Sequence, residues 1–275
     1  MQDEMTSNGY YSAENKEKSK LLNASLTKEG LEYAERNLLS DDSHLYLDKA
    51  FIEENFNLDG KKVLDFGCGM GSMALWLRKK YKCEIRGIDI DRNHLLIANL
   101  LKVKHNLPDV AFNYKNVLVE PLTSTYDFIY LNDVAEHIPL SELQPILNHL
   151  AKQLNVGGVI FVSYPPWEGP FASHLNVIFQ IPWAQYWPKF ILNPLLEKRN
   201  RTLVGEKDLK SEFQNLNHLN HRKFKNILEK AGLRIVKRKS HSKLNHILGL
   251  KNVNFNIFPF HYLVTKELVV LEPNY

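Results

Sequence analysis

The chain has 275 residues, enough to bury a substantial core as one large domain or as a domain with a cap. An apolar content of 44% and a charged content of 24% are those of a soluble globular protein, and no run of about 18 apolar residues supplies a membrane-spanning helix. The net charge of +4 is mild but uneven: residues 1–60 are acidic on balance, whereas from Lys189 to Lys251 basic residues outnumber acidic ones about three to one, suited to phosphate, an acidic substrate, a membrane surface or simply solvent.

Cys68 and Cys83 have no His or Cys neighbours at metal-ligand spacing, so neither a metal site nor a disulfide framework is expected. The polar, acidic start of the chain is unlike a secretory leader, and a reducing cytoplasmic location is the expectation. Residues 1–25 are rich in Ser, Asn, Lys and Glu, a composition that orders only by closing over a ligand. Two amphipathic helices are predicted between Leu26 and Asn57. Leu31, Ala34 and Leu38 mark the first; Leu45, Phe51, Ile52 and Phe56 mark the second, with Asp41, Asp42 and Ser43 as an N-cap cluster between them.

The apolar run Val63–Phe66 then ends in three glycines at alternate positions, Gly67, Gly69 and Gly71, before Met73, Leu75, Trp76 and Leu77 take up helical spacing. The order is strand, tight turn, helix, with the helix N–H groups aimed back at the turn. G-x-G-x-G is one residue tighter than a dinucleotide fingerprint, and Asp65 stands two residues before the first glycine, where an acid suits a cationic ligand better than a pyrophosphate. Val63-Leu64-Asp65-Phe66-Gly67-Cys68-Gly69-Met70-Gly71 resembles motif I of the class I S-adenosylmethionine (SAM) methyltransferases, V-L-D-x-G-C-G-x-G. The resemblance implies that the turn, Cys68 included, packs on the methionine part of SAM and that Asp65 helps hold its amino group.

Glu84–Asp89 reads as a second strand ending in an acid, 18 residues after Gly71. A carboxylate there accepts from both hydroxyls of a ribose. The family resemblance assigns that role to Asp89, with Ile90 packing on the adenine. A helix over Arg92–Lys104 precedes a third strand, Val110–Tyr114. Beyond it the family commonly has an acid for the adenine amino group; this chain offers Asn116, whose amide oxygen can make the same contact without charge. Tyr126–Leu131 is the fourth strand. Asn132-Asp133-Val134-Ala135-Glu136-His137 after it resembles the post-strand segment of small-molecule methyltransferases, which implies that Asn132 and Asp133 lie against the methionine end. A helix over Leu140–Leu154, a C-cap turn at Asn155–Gly158 and a fifth strand at Val159–Tyr164 follow.

Strands alternating with helices imply an α/β fold, a Rossmann-like doubly wound sheet. The resemblance adds a terminal antiparallel pair, with Ala231–Lys237 as sixth strand after a helix over His221–Lys230 and Tyr262–Leu271 as seventh. That gives four regions: N-terminal helices over 1–59, a SAM-binding core over 60–164, an insertion over 165–219, and the rest of the sheet over 220–275. The insertion is too long for an ordinary connection and is dense in proline and aromatic residues, among them Trp167, Phe171, Phe179, Trp183, Tyr186, Trp187 and Phe190. It is expected to form a lid with an apolar acceptor pocket, or a cap that only shields core.

Methyl transfer from a sulfonium is an in-line displacement in which the protein aligns the reactants and excludes water. A hydroxyl acceptor also needs its proton removed, which histidine does best near neutral pH. His174 in the insertion and His137 after the fourth strand lead as bases, with His218 and His221 behind them; the family's Glu-His pair is often structural. The expected function is methylation of a small, largely apolar or aromatic molecule, or a lipid-like one. Alternatives are a methyltransferase for RNA or protein that uses the basic C-terminal third, or a SAM-binding protein without activity. Nucleic acid is disfavoured, because no N/D-P-P-Y/F turn follows the fourth strand and neither cysteine is placed as a nucleophile.

Overall fold

Val63 and Leu64 of the first strand, β1 (Lys62–Phe66), are buried on opposite faces, as befits a strand inside a sheet that is covered on both sides. The computed structural model of the protein describes residues 25, 27–173, 175, 181–199, 208–243, 245 and 258–274. Six further strands, β2 (Glu84–Asp89), β3 (Ala111–Tyr114), β4 (Tyr126–Asn132), β5 (Leu154–Tyr164), β6 (Leu233–Ser242) and β7 (Val264–Pro273), complete a seven-stranded sheet of order β3-β2-β1-β4-β5-β7-β6. Strands β1 to β5 run parallel, and β7 lies antiparallel between β5 and β6. The order reverses between β1 and β4, and that reversal opens a crevice at their carboxyl ends.

Helices cover both faces. Helices α1 (27–39), α2 (Tyr46–Asn55), α3 (Ser72–Lys80) and α4 (Arg92–Lys104) bury Ala34, Phe51, Leu75 and Leu101 against one. Helix α5 (Leu140–Lys152) and the later α8 (His221–Lys230) bury Leu143, Leu147, Phe224 and Leu228 against the other. At the centre, Phe161 stacks on Phe51 at 5.3 Å and on Tyr130 at 5.5 Å between ring centroids, which fastens α2 to β4 and β5.

Several boundaries differ from the sequence reading. No side chain caps α2: its N-cap is Leu45, and Ser43 contributes only a backbone carbonyl to the Tyr46 N–H at 3.0 Å, leaving Asp41 and Asp42 in solvent. The stretch Asn155–Gly158 is not a helix cap, since α5 ends at Lys152 with Gln153 as its C-cap. It is an excursion within β5, where Tyr126 pairs with Leu154 but Phe128 already pairs with Val159. Turn-like residues there were read as a helix end because a bulge and a cap demand the same backbone freedom. Strand β6 runs on to Ser242 because β7 gives it a partner along its whole length. The seventh strand starts at Val264, two residues later than expected, after a short 3-10 turn at Phe260–Leu263.

The insertion contributes α6 (Lys189–Arg199) and α7 (Leu209–Asn215). Leu175, Ala184, Leu192 and Leu196 form a small apolar cluster with Trp187 and Phe213 packed on it. Trp167 stacks on His218 at 4.0 Å, and its N–H donates to the Leu219 carbonyl at 2.7 Å. The polar stretch 1–24, His174 and Phe179 lie outside the described residues.

One buried ion cluster pins the insertion to the sheet. His221 at the start of α8 binds Glu168 at 2.7 Å through Nδ1 and Glu267 of β7 at 3.2 Å through Nε2. Glu267 also accepts from Ser240 and pairs with Arg238 at 2.8 Å. Burial disfavours the His221 cation, but hydrogen bonds to the two glutamates outweigh it and lift its pKa to about 9. Folding thus raises this pKa from about 6.5, so its stabilising contribution is full below that pH and is lost as pH climbs through about 9. His221→Ala should cost about 3 kcal/mol at pH 6. Denaturant titrations at pH 6 and 9.5 would check this: the gap between variant and wild type should shrink at the higher pH, and an equal gap at both would refute the assignment.

Candidate cofactor and acceptor site

The crevice at the strand ends holds a cavity of about 1070 Å³. Its walls include Asp65, Gly67, Cys68, Gly69, Asp89, Ile90, Asn116, Asn132, Asp133 and His137, so residues the sequence had scattered over 70 positions meet in one place. Gly71 is not in the wall. It sits at φ 80° as the N-cap of α3, and a Cβ there would fall 2.7 Å from the Phe112 ring and 2.9 Å from Ala98. Gly67 is also a packing glycine, since a Cβ would come within 2.6 Å of Val134. At Gly69 a Cβ would meet nothing within 4 Å, so there the backbone itself lies open to the cavity.

Asp89, at the end of β2, fixes that backbone. Its Oδ2 accepts the Gly69 N–H at 2.7 Å, and its Oδ1 accepts the Asp91 N–H at 2.8 Å. The sequence suggested only a ligand contact for this carboxylate; it also ties the glycine turn of one βα unit to the next. Asn116 has a comparable second duty, its Oδ1 accepting the Leu118 N–H at 3.0 Å. Ile90 is largely exposed on the rim.

Asp65 is different. Its side chain is 2% exposed, and its Oδ2 has no hydrogen-bond partner among the described residues. Burial, and then the charge of Asp89, push its pKa up to about 8, with only an Ala74 backbone N–H working the other way. Tyr130 is its register neighbour on β4, and the phenol oxygen is likewise buried without a partner among the described residues. Burial holds that phenol well above its usual pKa, reinforced by Asp48, Asp65 and Asp133, so it stays protonated.

Asn132 and Asp133, expected at the methionine end, line the cavity and are held by groups that the sequence reading missed. Lys266 of β7 pairs with Asp48 of α2 at 2.6 Å and with Asp133 at 2.9 Å. Asn132 donates to Asp48 at 2.9 Å and to the Ser163 hydroxyl at 2.8 Å. Burial opposes the Lys266 cation, yet the two carboxylates raise its pKa above the ordinary lysine range. Asp133 holds φ at 50°, a left-handed conformation uncommon outside glycine and fixed here by these bonds. The available signal was a Lys-Glu pair, Lys266-Glu267, inside an otherwise apolar strand, and an aspartate on the buried side of α2.

Other parts of the cavity wall come from α1 and α7. Tyr33, Arg36 and Asn37 enter from α1, His44 from the turn after it, and Leu209 and Glu212 from α7. The Tyr33 hydroxyl lies 3.2 Å from His44 Nδ1, a second pair that the sequence did not single out. The insertion therefore reaches the cavity through α7. Among the described residues, none of its tryptophans, tyrosines or phenylalanines is in the wall. His218 and His221 are also outside it, and His221 between its two glutamates keeps its proton at neutral pH. The described residues hold no cluster of His, Cys, Asp and Glu fit for a metal ion, and no helix long and apolar enough to cross a membrane.

Known proteins share this arrangement. A ubiquinone biosynthesis O-methyltransferase from Neisseria meningitidis is 30% identical over 155 residues, which are 56% of this chain and 61% of that protein. The match thus spans about three fifths of that relative's length. A sphingolipid C9-methyltransferase from Candida albicans is 29% identical over 111 residues, 38% of this chain and 22% of that protein. Among solved structures, an S-adenosylmethionine-dependent methyltransferase from Clostridium acetobutylicum superposes with a TM-score of 0.56 at 12% identity, over 87% of this chain and 96% of that one. The magnesium protoporphyrin IX methyltransferase of Synechocystis, solved with bound S-adenosylhomocysteine (SAH), gives 0.53 at 16% identity, over 92% and 99%. At such identities the likeness is one of fold. Residues 38–238, well over half the chain, match the family described as methyltransferase domain, and the chain belongs to that family, the class I enzymes whose cofactor is S-adenosylmethionine.

Proposed function

We propose that the protein transfers a methyl group from SAM to a small molecule with an apolar or aromatic body, lipid-like in character. The observation that carries the cofactor half is the buried Asp65 carboxyl, whose Oδ2 has no hydrogen-bond partner among the described residues, beside the open backbone of Gly69. Burial keeps this carboxyl protonated, and a cation placed beside it would favour the carboxylate; an α-ammonium group supplies one. Asp65 would hold the ammonium, Asp89 the ribose, Asn116 and Ile90 the adenine, and Asn132 and Asp133 would line the methionine end. Bound there, SAM supplies an electrophilic methyl on a sulfonium. The wall carries Asp65, Asp89, Asp91 and Asp133 against Arg36 and Lys115, and an excess of carboxylates favours the positive sulfonium of the substrate over the neutral sulfide of the product.

The acceptor half rests on the space between α1 and α7 and on the relatives, which are named for a quinone and a sphingolipid. Ile138, Ile146 and Leu209 offer apolar wall, while Tyr33, His44 and His137 offer polar groups for a reacting hydroxyl. His137 is in the wall; His174 keeps its candidacy from its place in the insertion. Cytoplasmic localisation belongs to the same proposal. The direct test uses SAM labelled in its methyl group and a cell extract fractionated into lipids, polar metabolites, RNA and protein. Label should enter the lipid or aromatic fraction; label confined to RNA or protein would overturn the reading. Once the acceptor is known, replacing whichever histidine is the base by alanine should lower kcat by about 10²–10⁴ with SAH affinity nearly unchanged. Full turnover in both His137→Ala and His174→Ala would remove general-base catalysis by either.

Two binding measurements follow from the geometry. Asp89→Ala should weaken SAH binding by about 1.5–3 kcal/mol, because it removes charge-assisted hydrogen bonds and frees the Gly69 N–H. Calorimetry that finds wild-type affinity in this variant would remove the ribose role. The second concerns protons. Without ligand, Asp65 keeps its proton up to about pH 8; with an ammonium beside it, the carboxylate form is favoured. Binding at pH 6.5 should therefore release nearly one proton, and affinity should rise with pH up to about 8. Calorimetry in two buffers of different ionisation enthalpy counts that proton. Asp65→Asn should release almost none, and an identical count in the variant would assign the proton elsewhere.

A further inference from the structure

Two segments meet on the same end of the sheet as the cavity and leave an unusual surface. One is residues 181–191 of the insertion; the other is the turn 258–263 that leads into β7. Phe190 and Phe258 are 78% and 75% exposed, and Tyr186 and Phe260 are also more than half exposed. Ile181, Ile191 and Tyr262 add smaller exposed faces. The two segments are tied together at Phe258, Tyr262 and Tyr186, and Phe190 follows Tyr186 by four residues. Phe258 and Tyr262 lie 6.4 Å apart between ring centroids, and Tyr186 is close enough to Tyr262 for the two phenols to interact electrostatically. The two segments share a base as well. Gly169 presses on the Val264 carbonyl so closely that a Cβ would lie 2.1 Å from it, and the Tyr186 hydroxyl donates to the Trp167 carbonyl at 3.3 Å.

Soluble proteins seldom leave so many large apolar side chains together without a use for them. The charge of the patch indicates what covers it. Residues 181–194 and 258–263 contain Lys189 and His261 and no carboxylate, and Lys243 lies over the nearby Phe171 ring at 3.9 Å. Aromatic rings with lysine and no acid are the composition of an interfacial belt, where rings sink to headgroup level and ammonium groups meet lipid phosphates.

We infer that this aromatic face docks the protein on a lipid surface bearing anionic headgroups, with Phe190 and Phe258 inserted and Lys189 against phosphate. The inference rests on the lipid-like acceptor proposed above and adds how such an acceptor is reached. The face and the cavity share an edge of the fold. β7 begins directly after the turn 258–263, and its third residue, Lys266, is in the ion cluster on the cavity floor. The same insertion that carries Phe190 sends Leu209 and Glu212 of α7 into the cavity wall. Docking by this edge brings the acceptor end of the cavity to the lipid, so an acceptor with a long apolar tail need not enter water.

Flotation of the full-length protein with phosphatidylglycerol/phosphatidylcholine vesicles, in the presence of SAH, tests this without need of an acceptor. The wild type should float with these vesicles, less with phosphatidylcholine alone, and less again at high salt. The double variant Phe190→Ser/Phe258→Ser should lose at least about tenfold in partition, and Lys189→Glu should lose mainly the anionic preference. Neither change touches the cavity, so SAH binding by calorimetry and the melting temperature should stay at wild-type values and report a folded protein. Absence of the wild type from the floated fraction would overturn the inference, as would flotation indifferent to the double variant. A concentration-dependent dimer abolished by that variant, with no vesicle binding, would reassign the face to contact between copies. Each of these failures leaves the methyl-transfer reading standing, because that is judged by the labelled product.

Discussion

Lys266 places one ammonium group between the carboxylates of Asp48 and Asp133, and three remote pieces of chain are held by it. Asp48 belongs to a helix that precedes the sheet, Asp133 to the turn after β4, and Lys266 to the last strand. None of the three is stable there alone. An isolated buried charge costs several kcal/mol, and removing one partner of such a pair leaves that cost uncompensated. The cluster therefore acts as a register pin. Asp133 is held in its left-handed backbone, Asn132 is oriented by Asp48 and Ser163, and this part of the cavity wall has a fixed shape. The site thus needs the N-terminal helices and β7 as much as the glycine turn.

The same electrostatics explains why the glycine turn is built on carboxylates. Asp89, at the end of β2, accepts two backbone N–H groups. Asp65 has no comparable support and cannot stay ionised cheaply beside Asp89. Of these two nearby acids, Asp65 is the one whose pKa is raised, by burial and then by the charge of Asp89. This division follows from position: Asp65 is inside a strand buried on both faces, whereas Asp89 is at a strand end that opens to a turn.

Much of the sheet was legible from the chain because the signals are local. β2, α4 and α8 were placed at their observed ends, since each is framed by a polar or turn residue that does what its chemistry suggests. Asp91 caps α4 by accepting from Asn93 and His94, and Asn220 caps α8 by accepting from Lys223. Glycine spacing and the acids of β1 and β2 pointed to one place, and Asp65, Gly67, Gly69 and Asp89 do line one cavity. What escaped was non-local. The pairing of Lys266 with Asp48 spans over two hundred residues of sequence, and no periodicity encodes it. The aromatic insertion was expected to line the acceptor pocket because density of rings says that something must cover them but not which face they turn. In the fold, Trp167 turns to His218 and Trp187 to its own small cluster, while a plain helix with Leu209 and Glu212 reaches the cavity instead.

That division of labour within the insertion has a physical logic. A segment that only shielded core would bury its largest side chains, and a segment that only gripped a substrate would aim them at the cavity. This one holds Leu192 and Leu196 inward to keep α6 in place, presents Phe190 and Ile191 on the adjacent outward side of the same helix, and leaves the cavity wall to α7. Residues four apart on a helix share a face, so Leu192 and Leu196 turn inward together, while Phe190 and Ile191 fall outside that face. The Glu168–His221–Glu267 cluster then anchors the start of the insertion to β7 at the point where the exposed turn emerges. Surface, anchor and cavity wall are consecutive parts of one stretch of chain, which lets whatever covers the outer face bear on the position of α7 without a separate domain.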